Sequence, residues 1–414
     1  MSLRSQLRRH LKPVLYGHDR LWKALVHTDT TLERARHSAA RALPVLIRPE
    51  PRHLEVAITA HCNLRCVGCR YGRDFMPGSQ LPLAIVRELL EDARAVGFWD
   101  VRFYGGEPLL HPDLPAMVRT ACQLGINPYV TTNGIRLRDR IDELYDAGLR
   151  TINIGFYGVG ERYDRYVQRP GRHAMLEAGL EYLRQRYGSE VRLRLNWLLM
   201  RPSCSVELLH EAWAFARRFD ARFQIDLIHY SLPYFTEGPD RWLQFRPEDR
   251  DAIQAVTDEL IRLKETDPER INQSLTSLRS IPDWLLLGSE MRVPCDSHQM
   301  IWVGADGSVQ QCYVTFPLGN LHQQRLRNLL FSEAHRRASR DSFLLNCPNC
   351  HCHYPARIEK HAPSRARYGS PAATPGAAAG AYRARTTPVY ASTERARRAS
   401  PVSSSAPSPS ARAT

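Results

Sequence analysis

The chain has 414 residues, of which 43% are hydrophobic and 24% are charged, and its formal net charge is +14. The charge lies at the two ends, with +7 in residues 1–52 and +8 in residues 354–414, so residues 53–353 carry −1 and lack the basic body expected of a nucleic-acid enzyme. The sequence shows no membrane-spanning apolar run and no secretory signal, so we expect a cytoplasmic protein whose ten cysteines serve metal ligation or redox chemistry.

Residues 1–50 form a basic N-terminal extension in which leucines recur at helical spacing. Leu3, Leu7 and Leu11 are four residues apart, and so are Leu21 and Leu25. This spacing predicts helices whose apolar side covers one end of the core. A basic surface that associates weakly with membranes is the alternative.

Residues 51–232 alternate short apolar runs with amphipathic stretches. Strands are predicted at residues 54–58, 101–104, 128–131, 151–154, 191–200 and 222–228, and helices at 83–96, 114–124, 141–147, 174–186 and 206–219. This alternation predicts an α/β fold with a parallel sheet and helices outside it. Because the segment is too short for the eight units of a closed barrel, the sequence predicts a partial (β/α)6 TIM-like barrel.

Three cysteines follow the first predicted strand directly. Cys62, Cys66 and Cys69 are spaced C-x3-C-x2-C on the loop at the carboxyl end of that strand. Three thiolates around a four-iron cube leave one iron open to a substrate or cosubstrate. A closed zinc site, with His61 or His53 as the fourth ligand, is the alternative.

Two further strand ends carry residues of the kind that bind ligands. Gly105, Gly106 and Glu107 follow the second strand, where paired glycines let the backbone approach a ligand and a carboxylate is available for an ammonium group. A plain turn is the alternative for this run. Asn133 follows the third strand within Thr-Asn-Gly. Because the carboxyl ends of parallel strands meet at one rim, we expect these residues and the cysteines to form one site.

In combination, these motifs resemble the radical S-adenosylmethionine (radical SAM) superfamily over about residues 53–230. The resemblance implies that the three cysteines hold a [4Fe–4S] cluster whose open iron binds S-adenosylmethionine (SAM). It implies that the glycine pair, Glu107 and Asn133 contact SAM, with Glu107 at the amino group. It also implies reductive cleavage of SAM to a 5′-deoxyadenosyl radical that abstracts hydrogen from a substrate, with an electron donor such as ferredoxin or flavodoxin as partner.

Two positions depart from the family pattern. Gly68 stands where family members often have an aromatic residue, and Gly155-Phe156-Tyr157-Gly158 replaces the usual Ser-x-Asp-Gly after the fourth strand. Other groups are then needed for the remaining SAM contacts. We expect Asn153 and Asn196, together with Arg194, to serve the ribose, the carboxylate or the substrate, and plain strand positions are the alternative.

The sequence of residues 233–293 predicts a helical connection, with one helix at 248–264. Residues 294–354 are predicted to form a separate cysteine-rich module. Five cysteines in so short a segment indicate a metal site, and structural zinc is one alternative. The stretch Cys-x11-Gly-x4-Cys resembles the start of the SPASM module, and the number of cysteines implies its shortened, Twitch-like form with one auxiliary [4Fe–4S] cluster. Its ligands would be Cys295, Cys312 and two of the three cysteines Cys347, Cys350 and Cys352.

Residues 355–414 are rich in Ala, Ser, Pro and Arg and predict a disordered basic tail. Two cysteines lie outside the motifs. Cys122 is interpreted as a packing residue. Cys204 is interpreted first as a packing residue and second as a catalytic donor of a hydrogen atom to a substrate radical.

The sequence therefore predicts a radical SAM oxidoreductase or tailoring enzyme that abstracts hydrogen from a small molecule. The substrate is expected to be a sugar, aminocyclitol or nucleoside of natural-product (antibiotic) biosynthesis. Polar residues late in the barrel are candidate substrate contacts: Asp226, His229, Tyr230 and Tyr234. The alternative is a maturase that cross-links or epimerises a ribosomally made peptide, with the basic ends attracting an acidic leader.

Overall fold

The computed structural model describes residues 19–71, 73–229, 241–313 and 315–370, and of residues 19–26 and 241 it describes the backbone alone. The predicted substrate contacts Tyr230 and Tyr234 lie outside the described residues. So do residues 1–18 of the N-terminal extension and residues 371–414 of the predicted tail.

Nine strands form one sheet in the order β6-β5-β4-β3-β2-β1-β7-β8-β9. They are β1 His53–Thr59, β2 Asp100–Gly105, β3 Asn127–Thr132, β4 Thr151–Phe156, β5 Arg192–Leu199, β6 Arg222–Leu227, β7 Met300–Val303, β8 Ser308–Gln310 and β9 Pro317–Asn320. The pairs within β1 to β7 are all parallel, whereas the pairs β7–β8 and β8–β9 are antiparallel. Because the sheet ends in the edges β6 and β9 and does not close, the predicted α/β partial barrel is confirmed.

Helices connect and cover these strands. They are α1 Asp19–Ala40, α2 Leu83–Val96, α3 Leu114–Gln123, α4 Leu137–Asp146, α5 Glu161–Val167, α6 Arg172–Tyr187, α7 Val206–Arg218, α8 Arg250–Thr266, α9 Leu275–Arg279, α10 Ile281–Leu287, α11 Leu326–Leu329, α12 Glu333–Phe343, α13 Tyr354–Lys360 and α14 Ala362–Tyr368. The short helix α5 was not predicted. No described helix is long and apolar enough to cross a membrane.

Alternate residues of the strands serve the two faces of the sheet. In β1, Leu54, Val56 and Ile58 join the main hydrophobic core with the apolar residues of α2. Glu55 lies between them in sequence and therefore faces the other way, where it accepts a hydrogen bond from Arg102 of β2 at 3.2 Å. We call this second face the inner face.

The cysteine-rich segment shares the barrel's sheet. β7 follows Cys295 closely and pairs in parallel with β1, in a register that places Trp302 beside Glu55. The hairpin β8–β9 then extends the sheet beyond β7. Backbone hydrogen bonds therefore join this segment to the first strand of the barrel.

Residues 355–368 differ from the predicted disordered tail, because together with Tyr354 they form helices α13 and α14. Tyr354, Ile358 and Tyr368 are buried and anchor these helices to the core. The Tyr368 hydroxyl donates to Asp283 at 2.6 Å. Three well-placed large side chains thus order a stretch whose overall composition is that of a disordered chain.

The described part of the N-terminal extension packs against this same region. Arg34 of α1 donates to the Glu359 carboxylate of α13 at 3.1 Å, and Glu33 forms ion pairs with Arg52 and Lys360. His37 packs edge-on against Phe343 of α12 at 4.9 Å. These contacts support the packing role expected for the extension.

Candidate active site

The three-cysteine loop lies at the carboxyl end of β1 and is held by α5. Arg65 and Val67 in the loop donate backbone N–H groups to carbonyls at the end of that helix, at 3.2 and 2.9 Å. Within the loop, Cys69 donates to the Cys66 carbonyl at 3.2 Å. The carboxyl terminus of an otherwise unpredicted helix therefore fixes the path of the cysteines.

The glycine pair lies directly against this loop. Gly106 and Glu107 donate N–H groups to the carbonyls of Thr59 and His61, both at 2.8 Å. A Cβ on Gly105 would lie 2.2 Å from the Thr59 oxygen, and a Cβ on Gly106 would lie 2.3 Å from the His61 oxygen. Only glycine allows the two backbones to approach this closely.

Glu107 is fully buried and ties the second strand end to the third. Its carboxylate accepts from the Thr132 hydroxyl at 2.5 Å, the Asn133 N–H at 2.8 Å and the Leu109 N–H at 2.9 Å. Burial raises the pKa of Glu107 to about 7, against the opposing effect of these donors. Since a carboxylate has about four acceptor positions, three are occupied and one remains for a ligand.

Asn133 continues this network toward the cysteines. Its side-chain amide donates to Asn63, between Cys62 and Cys66, at 2.8 Å. Its carbonyl accepts from the Tyr163 hydroxyl of α5 at 3.2 Å. The rim residues predicted from three separate strand ends therefore form one connected site.

The three thiols suit an iron–sulfur cluster. They lie near one another, and burial raises the pKa of Cys62 to about 12, that of Cys69 to about 11 and that of Cys66 well above its usual range. Buried thiols become thiolates only beside compensating positive charge, which iron provides. Among the described residues, no three His, Cys, Asp or Glu side chains come close enough to hold a single metal ion. The thiolates of a cluster bind different irons and stand further apart.

A cavity of about 450 Å³, including its mouth, is lined by all five cysteines of the C-terminal segment. Cys352 lies near Cys295, Cys312 and Cys350, and burial adds to their effect in raising its pKa. Cys347 lies near Cys350. Five thiols around one mainly apolar cavity form a donor set that fits a second cluster.

Arg357 of α13 holds the cysteine segment in place. Its guanidinium donates to the carbonyls of Val293 and Cys350 and, at 3.0 Å, to the Asn349 side chain. It also lies over the Trp284 ring at 4.7 Å. The predicted tail region therefore supplies a support that sequence reasoning missed, because nothing in the local sequence of α13 indicates its partners.

The inner face of the sheet is polar on all six barrel strands. Arg102 is central to it, with hydrogen bonds to Thr131 at 2.8 Å and to Glu55 and Tyr313 at 3.2 Å. The strand positions that face the barrel interior are Glu55, Arg102, Tyr129, Thr131, Asn153, Arg194, Asn196, Gln224 and Asp226.

Three of these inner side chains have unsatisfied polar atoms. The Asn153 and Asn196 side-chain oxygens and the Arg194 Nε are buried and have no hydrogen-bond partner among the described residues. Burial raises the pKa of Asp226, although Gln224 donates to it at 2.9 Å. Of the charged side chains on the inner face, sequence reasoning missed Glu55 and Arg102. The signal available was charged residues alternating with apolar ones within strands otherwise apolar.

The remaining predicted residues lie elsewhere. Cys204 donates its N–H to Arg201 at 3.3 Å and has Asp249 as its charged neighbour, and no described contact joins it to the cysteine loop. Cys122 packs against Gly148. His229 lies beside Cys352, with Nδ1 and Sγ 3.9 Å apart, and therefore borders the cavity that the five C-terminal cysteines line.

Family models match two segments of the chain. Residues 56–195 match the radical SAM superfamily, and residues 295–352 match SPASM, an iron–sulfur cluster-binding domain. The first covers the loop, the glycine pair, strands β2 to β4 and parts of β1 and β5, and the second covers all five C-terminal cysteines. The two predicted resemblances are confirmed.

Similar proteins share parts of the chain. The GTP 3′,8-cyclase of Chlorobaculum tepidum is 31% identical over 151 residues, which are 36% of this chain and 45% of that protein. That of Mycobacterium marinum is 38% identical over 125 residues, 29% and 35% of the two chains. The chain thus spans less than half the length of these curated relatives.

Solved structures show the same fold over more of the chain. Native anSMEcpe with bound AdoMet and Kp18Cys peptide has a TM-score of 0.56 at 17% identity, covering 71% of this chain and 84% of that one. Streptococcus suis SuiB bound to precursor peptide SuiA has a TM-score of 0.56 at 15% identity, covering 75% and 71%.

Proposed function

The chain is a member of the radical SAM superfamily with a C-terminal SPASM domain, and we propose that this enzyme abstracts hydrogen from a small, polar, hydrogen-bonding molecule. Its radical SAM domain implies a [4Fe–4S] cluster with SAM, and its SPASM domain implies auxiliary iron–sulfur binding. When bound, the cluster and SAM supply a 5′-deoxyadenosyl radical. The chain's own residues hold these groups, orient SAM and bind the substrate.

We assign the radical cluster to Cys62, Cys66 and Cys69. Glu107 has one acceptor position left and is hydrogen-bonded to Asn133, which in turn bonds to Asn63 in the cysteine loop, and this suits the amino group of SAM. Asn153 and Asn196 serve the ribose or carboxylate of SAM, since each has an oxygen that no described residue satisfies. These contacts orient SAM at the carboxyl ends of β1 to β5.

The proposed substrate class rests on the polar side chains of the inner face. Buried polar atoms without partners cost about 1–3 kcal/mol each, so a surface that retains several is built for a ligand that satisfies them. Arg194 offers a donor, and Asp226 beside it offers an acceptor. A compact molecule with hydroxyl, amino or carbonyl groups meets both, as a sugar, aminocyclitol or nucleoside does.

We assign the auxiliary cluster to Cys295, Cys312, Cys350 and Cys352, because the first three surround Cys352. Cys347 is left as the fifth thiol. Cys350→Ser is expected to lower the iron content of anaerobically reconstituted protein from about eight to about four per chain. Cys347→Ser is the matched control and is expected to keep about eight. Equal loss in both variants would contradict this ligand set.

The substrate test is 5′-deoxyadenosine production by the reconstituted, reduced protein in the presence of candidate substrates. Polar small molecules are expected to raise production above the level with SAM alone. Arg194→Met is expected to raise the KM of the responding substrate about tenfold, which equals loss of one hydrogen bond of about 1.4 kcal/mol. Arg192→Met, on the same strand but exposed, is the control.

A peptide maturase is the second candidate. The two structural neighbours are complexes with peptides, although at 15–17% identity they share only the fold with this chain. The curated relatives named for a nucleotide substrate match at 31–38% identity over 125–151 residues. A mass change in a precursor peptide, with no response to any small molecule, would reverse the order of the two proposals.

A further inference from the structure

Arg194 lies on the inner face of β5, and its guanidinium is unpaired. Its sequence neighbours Leu193 and Leu195 belong to the hydrophobic core, so the half-buried Arg194 points to the opposite, inner side of the sheet. Its Nε is sealed from solvent without a hydrogen-bond partner among the described residues. Its terminal nitrogens form no ion pair with any carboxylate in the described part of the chain. A guanidinium without a bonded counter-ion therefore faces the interior of the barrel.

Arg102, on the same face, is by contrast fully engaged. It donates to the Glu55 carboxylate and to the Tyr313 hydroxyl, both at 3.2 Å. Glu55 also accepts from the Tyr129 hydroxyl at 3.3 Å. The Glu55 carboxylate is therefore committed to Arg102 and its neighbours and does not compensate Arg194.

The second carboxylate of the inner face, Asp226, does not neutralise Arg194 either. It accepts from Gln224 at 2.9 Å, and burial raises its pKa, which disfavours its charged form. The register partner of Arg194 on β6 is another arginine, Arg222, which forms no ion pair in the described structure. Burial lowers the pKa of Arg194, and nearby Arg222 and Arg102 add to this effect. Positive charge around Arg194 is thus left uncompensated by the fold.

The chemistry of a guanidinium selects the ligand that would compensate it. Arginine binds carboxylates and phosphates through two parallel hydrogen bonds, a geometry that a neutral hydroxyl or carbonyl group does not reproduce. An isolated buried charge also costs far more free energy than an unsatisfied neutral group. A cationic ligand would increase the positive charge around Arg194. An aminocyclitol with its ammonium groups therefore suits this position less well than an acidic molecule does.

We propose that Arg194 binds an oxyanion of the substrate, either a carboxylate or a phosphate. The inference rests on the proposed function and narrows its substrate class to acidic molecules, such as a uronic acid, a sugar phosphate or a nucleotide. Arg194 precedes Asn196, a proposed SAM contact, by two residues and is therefore roughly 7 Å further from the carboxyl ends of the strands. The oxyanion anchors the substrate on the far side of SAM from the cysteine loop.

Inorganic phosphate and acetate are the probes, because they present the two oxyanions without the rest of the substrate. Thermal unfolding of anaerobically reconstituted, SAM-loaded and unreduced protein is followed at constant ionic strength, with chloride as the reference anion. We expect at least one probe to raise the midpoint of the original protein and of Arg192→Met, an exposed control on the same strand. Arg194→Met is expected to bind that probe at least about tenfold more weakly, and Arg194→Lys to lose only part of the affinity.

The response to the two probes identifies the oxyanion. A shift with phosphate alone indicates a phosphate ester, and a shift with acetate alone indicates a carboxylic acid. In chloride, Arg194→Met is expected to be at least as stable as the original protein, because an uncompensated buried charge has been removed. A less stable Arg194→Met would give Arg194 a structural role and contradict the proposal. Equal shifts in all variants would show anions on the protein surface only, with the same consequence.

SAM cleavage by the dithionite-reduced protein separates this proposal from the proposed function. Normal cleavage without any anion effect that depends on Arg194 would remove the oxyanion site and leave the radical enzyme in place. An effect that depends on Arg194, in a protein that cleaves no SAM, would support the oxyanion site and contradict the proposed function.

Discussion

At Gly106 the end of the second strand lies directly against the cysteine loop. A Cβ there would lie 2.3 Å from the His61 oxygen and 2.7 Å from the Ala60 oxygen, and both neighbours are backbone atoms that cannot move aside independently. Any larger residue must therefore push the loop away from β2. The position of the cysteines relative to Glu107 depends on the absence of one methyl group.

Gly106→Ala is expected to destabilise the protein by about 1–3 kcal/mol, the usual cost of forced overpacking, and to lower the iron bound at the radical site. Urea unfolding and iron analysis measure the two effects. Gly78→Ala is the matched control, because a Cβ there meets nothing within 4 Å and costs only the strain of a positive φ. Normal iron content in the Gly106 variant would contradict the close-approach argument.

At the scale of elements, the barrel strands and helices were predicted with their approximate bounds because apolar periodicity is local. Helix α5 was not, since its seven residues offer no side-chain cap and follow Gly160 at a positive φ. The pairing of β7 with β1 was also beyond sequence reasoning, because the two strands are more than 240 residues apart. In the site, the rim motifs were predicted, whereas Arg102 and Arg357 act through partners that are distant in sequence.

Helix α1 meets the C-terminal helices through buried histidines. His37 and His361 have ring centroids 6.0 Å apart. Burial lowers the pKa of His37 to about 4 and that of His361 to about 3, with nearby positive groups adding to the effect. Below pH 6.5 the unfolded chain binds protons at these histidines, whereas the folded protein does not until the pH approaches 4. The free energy of unfolding therefore has its full value above pH 6.5 and decreases as the pH falls toward 4.

Between pH 7.5 and pH 5.5, each of these histidines is expected to reduce the free energy of unfolding by about 1 kcal/mol. Urea unfolding at several pH values measures the slope. His37→Gln is expected to reduce the total change over this pH range by the share of that one histidine, about 1 kcal/mol, whereas His210→Gln, at an exposed position, is expected to leave it unchanged. An identical slope in all three proteins would show that the α1 contact does not titrate.

At the scale of the whole molecule, Arg357 links the cysteine segment to the helical connection. It is 1% exposed and joins the Val293 and Cys350 carbonyls to the Trp284 ring of α10. Removing it leaves several buried acceptors without a donor.

Arg357→Met is expected to destabilise the protein by about 3–5 kcal/mol and to halve its iron content, with the radical cluster retained. Thermal unfolding and iron analysis provide the measurements. Arg365→Met, on the neighbouring helix α14, is the control and is expected to keep both its stability and its iron content. Retention of about eight irons in the Arg357 variant would contradict its supporting role.

The adjacency of β1 and β7 has a consequence for synthesis of the chain. β1 is among the first strands to leave the ribosome, yet the partner on one of its sides, Met300–Val303, is translated about 240 residues later. At about 5–20 residues per second, the β1 edge waits roughly 12–50 s with unpaired N–H and C=O groups. An open strand edge is a template for pairing with other chains. Expression at reduced temperature or with added chaperones is therefore expected to raise the yield of folded protein.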